Sequence, residues 1–114
     1  MSGRFEDHRG IIQDWFNGQP IDAVAYITTN KGHVRGNHVH HHTAQWTLVL
    51  SGRLLMASGD ERHEVGPLEL TTHPPGVPHA WKALEDTACL VFTRGPRAGE
   101  QYESDTVRLE EPLL

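Results

Sequence analysis

The chain has 114 residues, enough for one domain with a real core and too few for two. Fifteen Asp and Glu against ten Lys and Arg give a formal net charge of −5, which argues against the basic face that a nucleic-acid partner needs. The single cysteine excludes an internal disulfide, and no leader-like or membrane-length apolar run is apparent, so a cytoplasmic protein that spans no membrane is expected.

The N-terminal "MSGRFEDHRG" is polar, and "GIIQDWF" is the first run of strand character. "IDAVAYITT" alternates, with Ile21, Ala23, Ala25 and Ile27 on one face. Tyr26 is expected in the core, with Phe92. "AQWTLVL" puts Gln45, Thr47 and Val49 on one side and Trp46, Leu48 and Leu50 on the other. "RLLMAS", "RHEVG", "LELTT", "HAWKAL" and "ACLVFTR" follow, each of strand length. Cys89, inside the last of these, reads as a buried thiol. "NGQP", "NKG", "SGD", "HPPGVP" and "RGPRAG" read as turns.

Turn signals every 8 to 12 residues or so suggest an all-β sandwich or barrel of about eight strands. The expectation is one domain over residues 1–114, closed on itself as a small barrel whose mouth holds one small ligand. Residues 95–114 read as an ordered tail crossing a partner subunit, with a helical turn compatible with "ESDTVRLEE".

Four of the nine histidines, His38, His40, His41 and His42, fall in five consecutive positions. On a strand His38 and His40 point to one face, which aims two imidazoles at one point, as a metal site requires. The next candidates are Gln45 and His79, the latter just after "PPGVP". His41 and His42 read as exposed, His33 and His63 as loop or turn residues, and His73 as a candidate partner behind a ligand.

Gly32, five residues, His38-x-His40, four residues, Gln45, six residues and Gly52 resemble the first motif of the cupin family, with Gln45 where that family usually has Glu. Pro74-x-Gly76-x2-His79 matches the middle of the second cupin motif; Gly66 lies two residues too far upstream, and Ala83 stands in place of Asn. The motif region is 32–83. The resemblance implies a double-stranded β-helix, or jelly-roll, barrel. It also implies one divalent transition metal ion (Zn, Ni, Mn, Fe or Co) on His38, His40, Gln45 and His79.

The function so implied is a metal-dependent enzyme acting on a small carbonyl, carboxylate or sugar-like substrate. The chemistry is that of an isomerase, epimerase or lyase, or of a dioxygenase. With Gln45 as a ligand the protein donors are all neutral, which favours stabilising a developing enolate or alkoxide. "RGNHVH", with the earlier Asp7-His8-Arg9-Gly10, also resembles cupins that act on nucleotide-linked or capsular sugars. That gives an alternative, a metal-free sugar isomerase or epimerase with His38 and His40 as acid and base. A further alternative is a cupin that binds a ligand without turnover. Arg35 and Trp81 are the candidate pocket residues, and the family habit implies a homodimer through "GIIQDWF" and "AVAYI".

Overall fold

The computed structural model describes residues 3–95 and 99–114, Tyr102 by its backbone alone. Eleven strands and one short helix lie within them. The turn expected at "RGPRAG" falls largely on residues 96–98, with Arg97, outside the described residues.

Strands β1 (Gly3–Asp7) and β2 (Gly10–Asp14) form a hairpin of their own. Its turn is the "DHRG" stretch: Arg9 donates from its backbone N–H to Asp7 Oδ1 (2.9 Å) and from Nη2 to Oδ2 (2.6 Å), and Gly10 takes a φ of 137°. That stretch therefore has a turn-forming role.

Strands β3 (Ala23–Thr29), β5 (Ala44–Ser51), β8 (Leu70–His73) and β10 (Thr87–Arg94) make a four-stranded antiparallel sheet in the order β3-β10-β5-β8. Strands β4 (Val34–His40), β6 (Leu54–Ser58), β7 (Glu61–Val65), β9 (His79–Ala83) and β11 (Thr106–Arg108) make a five-stranded sheet in the order β11-β4-β9-β6-β7. The helix, α1 (Gly99–Asp105), leads directly into β11.

The core lies between these two sheets. Val49, Cys89 and Val91 of the four-stranded sheet pack with Leu54, Met56, Val65, Trp81 and Ala83 of the other. Trp81 Nε1 donates to Thr29 Oγ1 across the gap (3.1 Å). Alternation explains the set: in β10, Thr87, Cys89, Val91 and Thr93 are buried, and the residues between them are less so. The barrel expected from the sequence, and the jelly-roll barrel implied by the resemblance, are corrected here. The strands belong to three separate sheets, and no strand of one pairs with a strand of another among the described residues. The two larger sheets meet face to face through side chains. An inward-facing alternation is the same in a closed barrel and in stacked sheets, so the pattern could not tell them apart.

Tyr26 is 65% exposed, another correction. The outer face of the four-stranded sheet is itself apolar: Val24, Phe92 and Trp46 align in one row, and Tyr26, Leu90, Leu48 and Leu70 in the next. Apolar residues on both faces of β3 left the sequence no way to choose the inner one. Phe16 covers part of this face, 5.4 Å from Trp46 and 4.6 Å from Phe92 between ring centroids. In the described part of the tail, one segment joins the five-stranded sheet. β11 pairs with β4, setting Thr106 opposite His40 and Arg108 opposite His38.

Burial pushes the Cys89 thiol up to about 11, although Arg35 pulls the other way. The thiolate is the reactive form, so Cys89 is inert in the folded chain. An aromatic disulfide reagent should leave native protein unlabelled at pH 8 and label one thiol per chain in denaturant; rapid native labelling would contradict this packing.

Candidate metal centre

Strand β4 carries a bulge just before the paired histidines. Gly36 has φ 92° and Asn37 φ 59°, and the register with β9 shifts between Gly36 and His38. A Cβ on Gly36 would meet Ala80 Cα and His79 O at 3.0 Å, so glycine lets β4 lie close against the start of β9. Residues near the end of the chain fill the bulge: Leu113 N–H donates to Asn37 Oδ1 (2.8 Å), and Leu109 N–H to Asn37 O (2.9 Å).

Beyond the bulge His38 and His79 are paired across β4 and β9. Their Nε2 atoms are 3.2 Å apart. His40, two residues along β4, has its ring centroid 4.5 Å from that of His38 and 5.5 Å from that of His79. One nitrogen from each of His38, His40 and His79 lies within 4.8 Å of the others. His40 and His79 are buried, His38 half-buried.

Gln45 enters from the facing sheet, and its Oε1 is buried without a hydrogen bond among the described residues. A cavity of about 180 Å³ is lined by His38, Gln45, His79, Arg35, Trp81 and Val91, among others. Arg35 is tied to β3 by Nη2 to Thr28 O (2.9 Å) and Nε to Thr29 Oγ1 (3.2 Å).

Burial drives the His79 imidazole down to about 2, helped by the imidazoles of His73, His38 and His40. His73 is pushed down to about 4, again first by burial, then by His40, His63 and His38. Both rings are neutral at pH 7, and a neutral ring offers the lone pair that a metal needs. His73 is buried, stacks on His79 at 4.5 Å and has Nε2 3.0 Å from Thr47 Oγ1. It thus stands behind His79. His33, His41, His42 and His63 are exposed.

The sequence reading missed Asp105 and Thr106. Thr106 Oγ1 is 3.0 Å from His40 Nδ1, and Asp105 Oδ2 is 3.9 Å from the same nitrogen. The buried Asp105 carboxylate accepts from His42 N–H (2.6 Å) and Thr43 Oγ1–H (2.5 Å), holding the turn between β4 and β5. Burial raises the carboxyl, but these two hydrogen bonds and the imidazoles of His40 and His42 outweigh it, leaving the group below its ordinary value. Asp105→Asn removes the carboxylate charge and one of its two acceptors, so the buried Thr43 hydroxyl loses the oxygen it donates to. It should cost about 2 kcal/mol in urea unfolding. It should also weaken metal binding by roughly tenfold through His40. Unchanged values in both would show Asp105 to be a bystander.

The cupin domain model matches residues 25–93, more than half of the chain. The chain belongs to the cupin family. This cupin is 27% identical, over 114 aligned positions, to mannose-1-phosphate guanylyltransferase RfbM of Salmonella typhimurium, covering 94% of the chain and 23% of that relative. It thus spans less than a quarter of the relative's length.

Several solved structures share its fold, among them the following two. The sugar 3,4-ketoisomerase QdtA of Thermoanaerobacterium thermosaccharolyticum, in complex with TDP, has TM-score 0.75 and 21% identity, with 95% of this chain and 84% of that one covered. The dTDP-4-dehydrorhamnose 3,5-epimerase of Sulfolobus tokodaii has TM-score 0.74 and 20% identity, with 90% and 70% covered. Among the described residues of this cupin no helix is long and apolar enough to cross a membrane.

Proposed function

We propose that this cupin is a metal-dependent isomerase or epimerase of a small, sugar-like carbonyl compound. In this reading His38, His40, Gln45 and His79 hold one divalent transition metal ion. The observation that carries it is the convergence of three imidazoles, two of which, His38 and His79, line one cavity. Two tests of fit support it. Nitrogens bound to one tetrahedral Zn²⁺ stand about 3.3 Å apart, and His38 and His79 present theirs at 3.2 Å. The buried Gln45 Oε1 lacks a hydrogen bond among the described residues, and a cation is a partner for it.

The metal would supply Lewis acidity toward a substrate carbonyl oxygen. The chain's own residues do the rest. Gln45, in place of a carboxylate, brings no negative charge to oppose charge developing on that oxygen. Trp81, fixed by its N–H on Thr29, walls the cavity. Arg35 borders both the cavity and an adjoining groove of about 460 Å³ that also holds Asn37 and Arg108. Its guanidinium suits a carboxylate or phosphate on the substrate. The fold likeness to a sugar ketoisomerase and a sugar epimerase favours this side over dioxygenase chemistry.

The experiment is solvent exchange. Metal-loaded protein is incubated in deuterated water with a nucleotide-linked 4-keto sugar. Deuterium entering beside the ketone, lost with chelator and restored by metal, is the expected result. Exchange indifferent to chelator would favour His38 and His40 as metal-free acid and base. No exchange in any of a panel of keto sugars would favour ligand binding without turnover.

The chain is also proposed to pair as a homodimer. The apolar outer sheet face, with Val24 57% and Tyr26 65% exposed, and the hairpin's Phe5, Ile11 and Ile12 support this. Sedimentation equilibrium should find a dimer that Tyr26→Glu weakens; a monomer at all concentrations would end the idea.

A further inference from the structure

Asn37 is the extra residue of the β4 bulge. Gly36 faces Ala80 and His38 faces His79, so β4 advances two residues where β9 advances one. A regular ladder from Gly36 would set Asn37 opposite His79 and His38 opposite Pro78. Side chains alternate along a strand, so His38 would then share a face with Ala80 instead of His79. The meeting of the two imidazoles therefore depends on this one residue bulging out.

Asn37 has φ 59°, in the left-handed region that asparagine tolerates better than most side chains do. A remote stretch of chain holds it there. Beyond β11, Leu109 N–H donates to the Asn37 carbonyl (2.9 Å). Leu113 and Leu114 N–H donate to Asn37 Oδ1 (2.8 and 3.3 Å), and Asn37 Nδ2–H donates to Leu114 O (3.3 Å). The side-chain amide thus uses its acceptor and its donor on the same two residues, which neither a carboxylate nor a hydroxymethyl group of serine could match in reach and number. Arg62 Nη2 donates to Leu113 O (3.3 Å), which ties the stretch to β7 as well.

We infer that Asn37 is a positioning residue for the metal centre: its amide latches Leu113 and Leu114 and so fixes the bulge that brings His38 opposite His79. This rests on His38 being a metal ligand, as proposed above. Gly36 lets β4 approach β9, and Asn37 sets which face His38 takes.

The test uses Asn37→Gly in the full chain. Glycine adopts φ 59° freely, so the backbone bulge stays accessible and only the latch is removed. In metal-free protein, amide hydrogen exchange read by NMR should quicken at Leu113 and Leu114 and change little at Leu109, whose acceptor is backbone. Zn²⁺ affinity, measured by competition with a chelating dye, should fall roughly tenfold. The urea midpoint should stay near that of the unsubstituted chain. Leu113→Pro removes an N–H and leaves Asn37 in place; it should lower affinity to a similar degree, and joined to Asn37→Gly it should add little. Quickened exchange with unchanged affinity in Asn37→Gly would overturn the inference, because the latch would then hold the tail alone. A lower urea midpoint with affinity intact would overturn it too, as would fully additive losses in the double variant. His38→Ala separates the two readings. If it binds Zn²⁺ as the unsubstituted chain does, the ligand assignment fails and takes the inference with it. If it loses Zn²⁺ while Asn37→Gly keeps it, the metal centre stands and the latch alone is refuted.

Discussion

Purified His79→Ala protein should fold and fail to retain metal, its affinity for Zn²⁺ falling by more than roughly a hundredfold. Losing a residue that only orients a ligand costs 10- to 100-fold, and losing the ligand itself costs more. His79 is the link between the sheet positions: it sits opposite His38 in register, and its Nε2 is 3.2 Å from that of His38. It is 3% exposed and held neutral by burial, so its lone pair needs no deprotonation before it binds. The fold should survive because β9 is paired on both sides, by β4 and β6. His63→Ala, on the exposed strand β7, is the matched control and should retain metal in full. Metal content and competition titrations decide the matter. A His79→Ala protein that binds as the unsubstituted chain does would remove the three-imidazole centre.

Gly52→Ala should cost about 4 kcal/mol in urea unfolding, a large share of a domain's stability. Gly52 joins β5 to β6 with φ 91°, a conformation that strains any side chain. A Cβ there would overlap Asp86 O and lie 2.7 Å from Thr87 Cα. That wall cannot retreat, because Thr87 Oγ1 accepts from Arg53 N–H (3.0 Å) in the same corner. Gly76 is the internal comparison. Its φ is 80°, but a Cβ there meets nothing within 4 Å, so Gly76→Ala carries only the backbone strain, about 1 kcal/mol. Equal losses in the two variants would contradict the crowding argument. The closing glycine of the first motif is therefore a packing requirement, some distance in role from the histidines it accompanies in the sequence.

What the sequence determined by itself is local. Strand period two sets His38 and His40 on one face, and the same rule separates Gln45 and Val49 from Trp46. Tight turns could be read because Gly and Pro leave few backbone choices, and the spacing of both motifs followed from those strands and turns. Tertiary structure decided the rest. Whether the strands close into a barrel depends on edges meeting, and β3, β8, β7 and β11 meet no strand of another sheet among the described residues. Which apolar face of β3 turns inward depended on its neighbours, so Tyr26 could not be placed from its own segment. Asp105 and Thr106 reach His40 across more than 60 residues of chain, in a tail with no periodic pattern to announce it. His73 could be read from the sequence only as a candidate partner behind a ligand; which histidine it stacks on, His79, was decided by the pairing of β8 with β5. Period and turn chemistry are properties of a few adjacent residues; burial, closure and remote contact are properties of how the sheets pack.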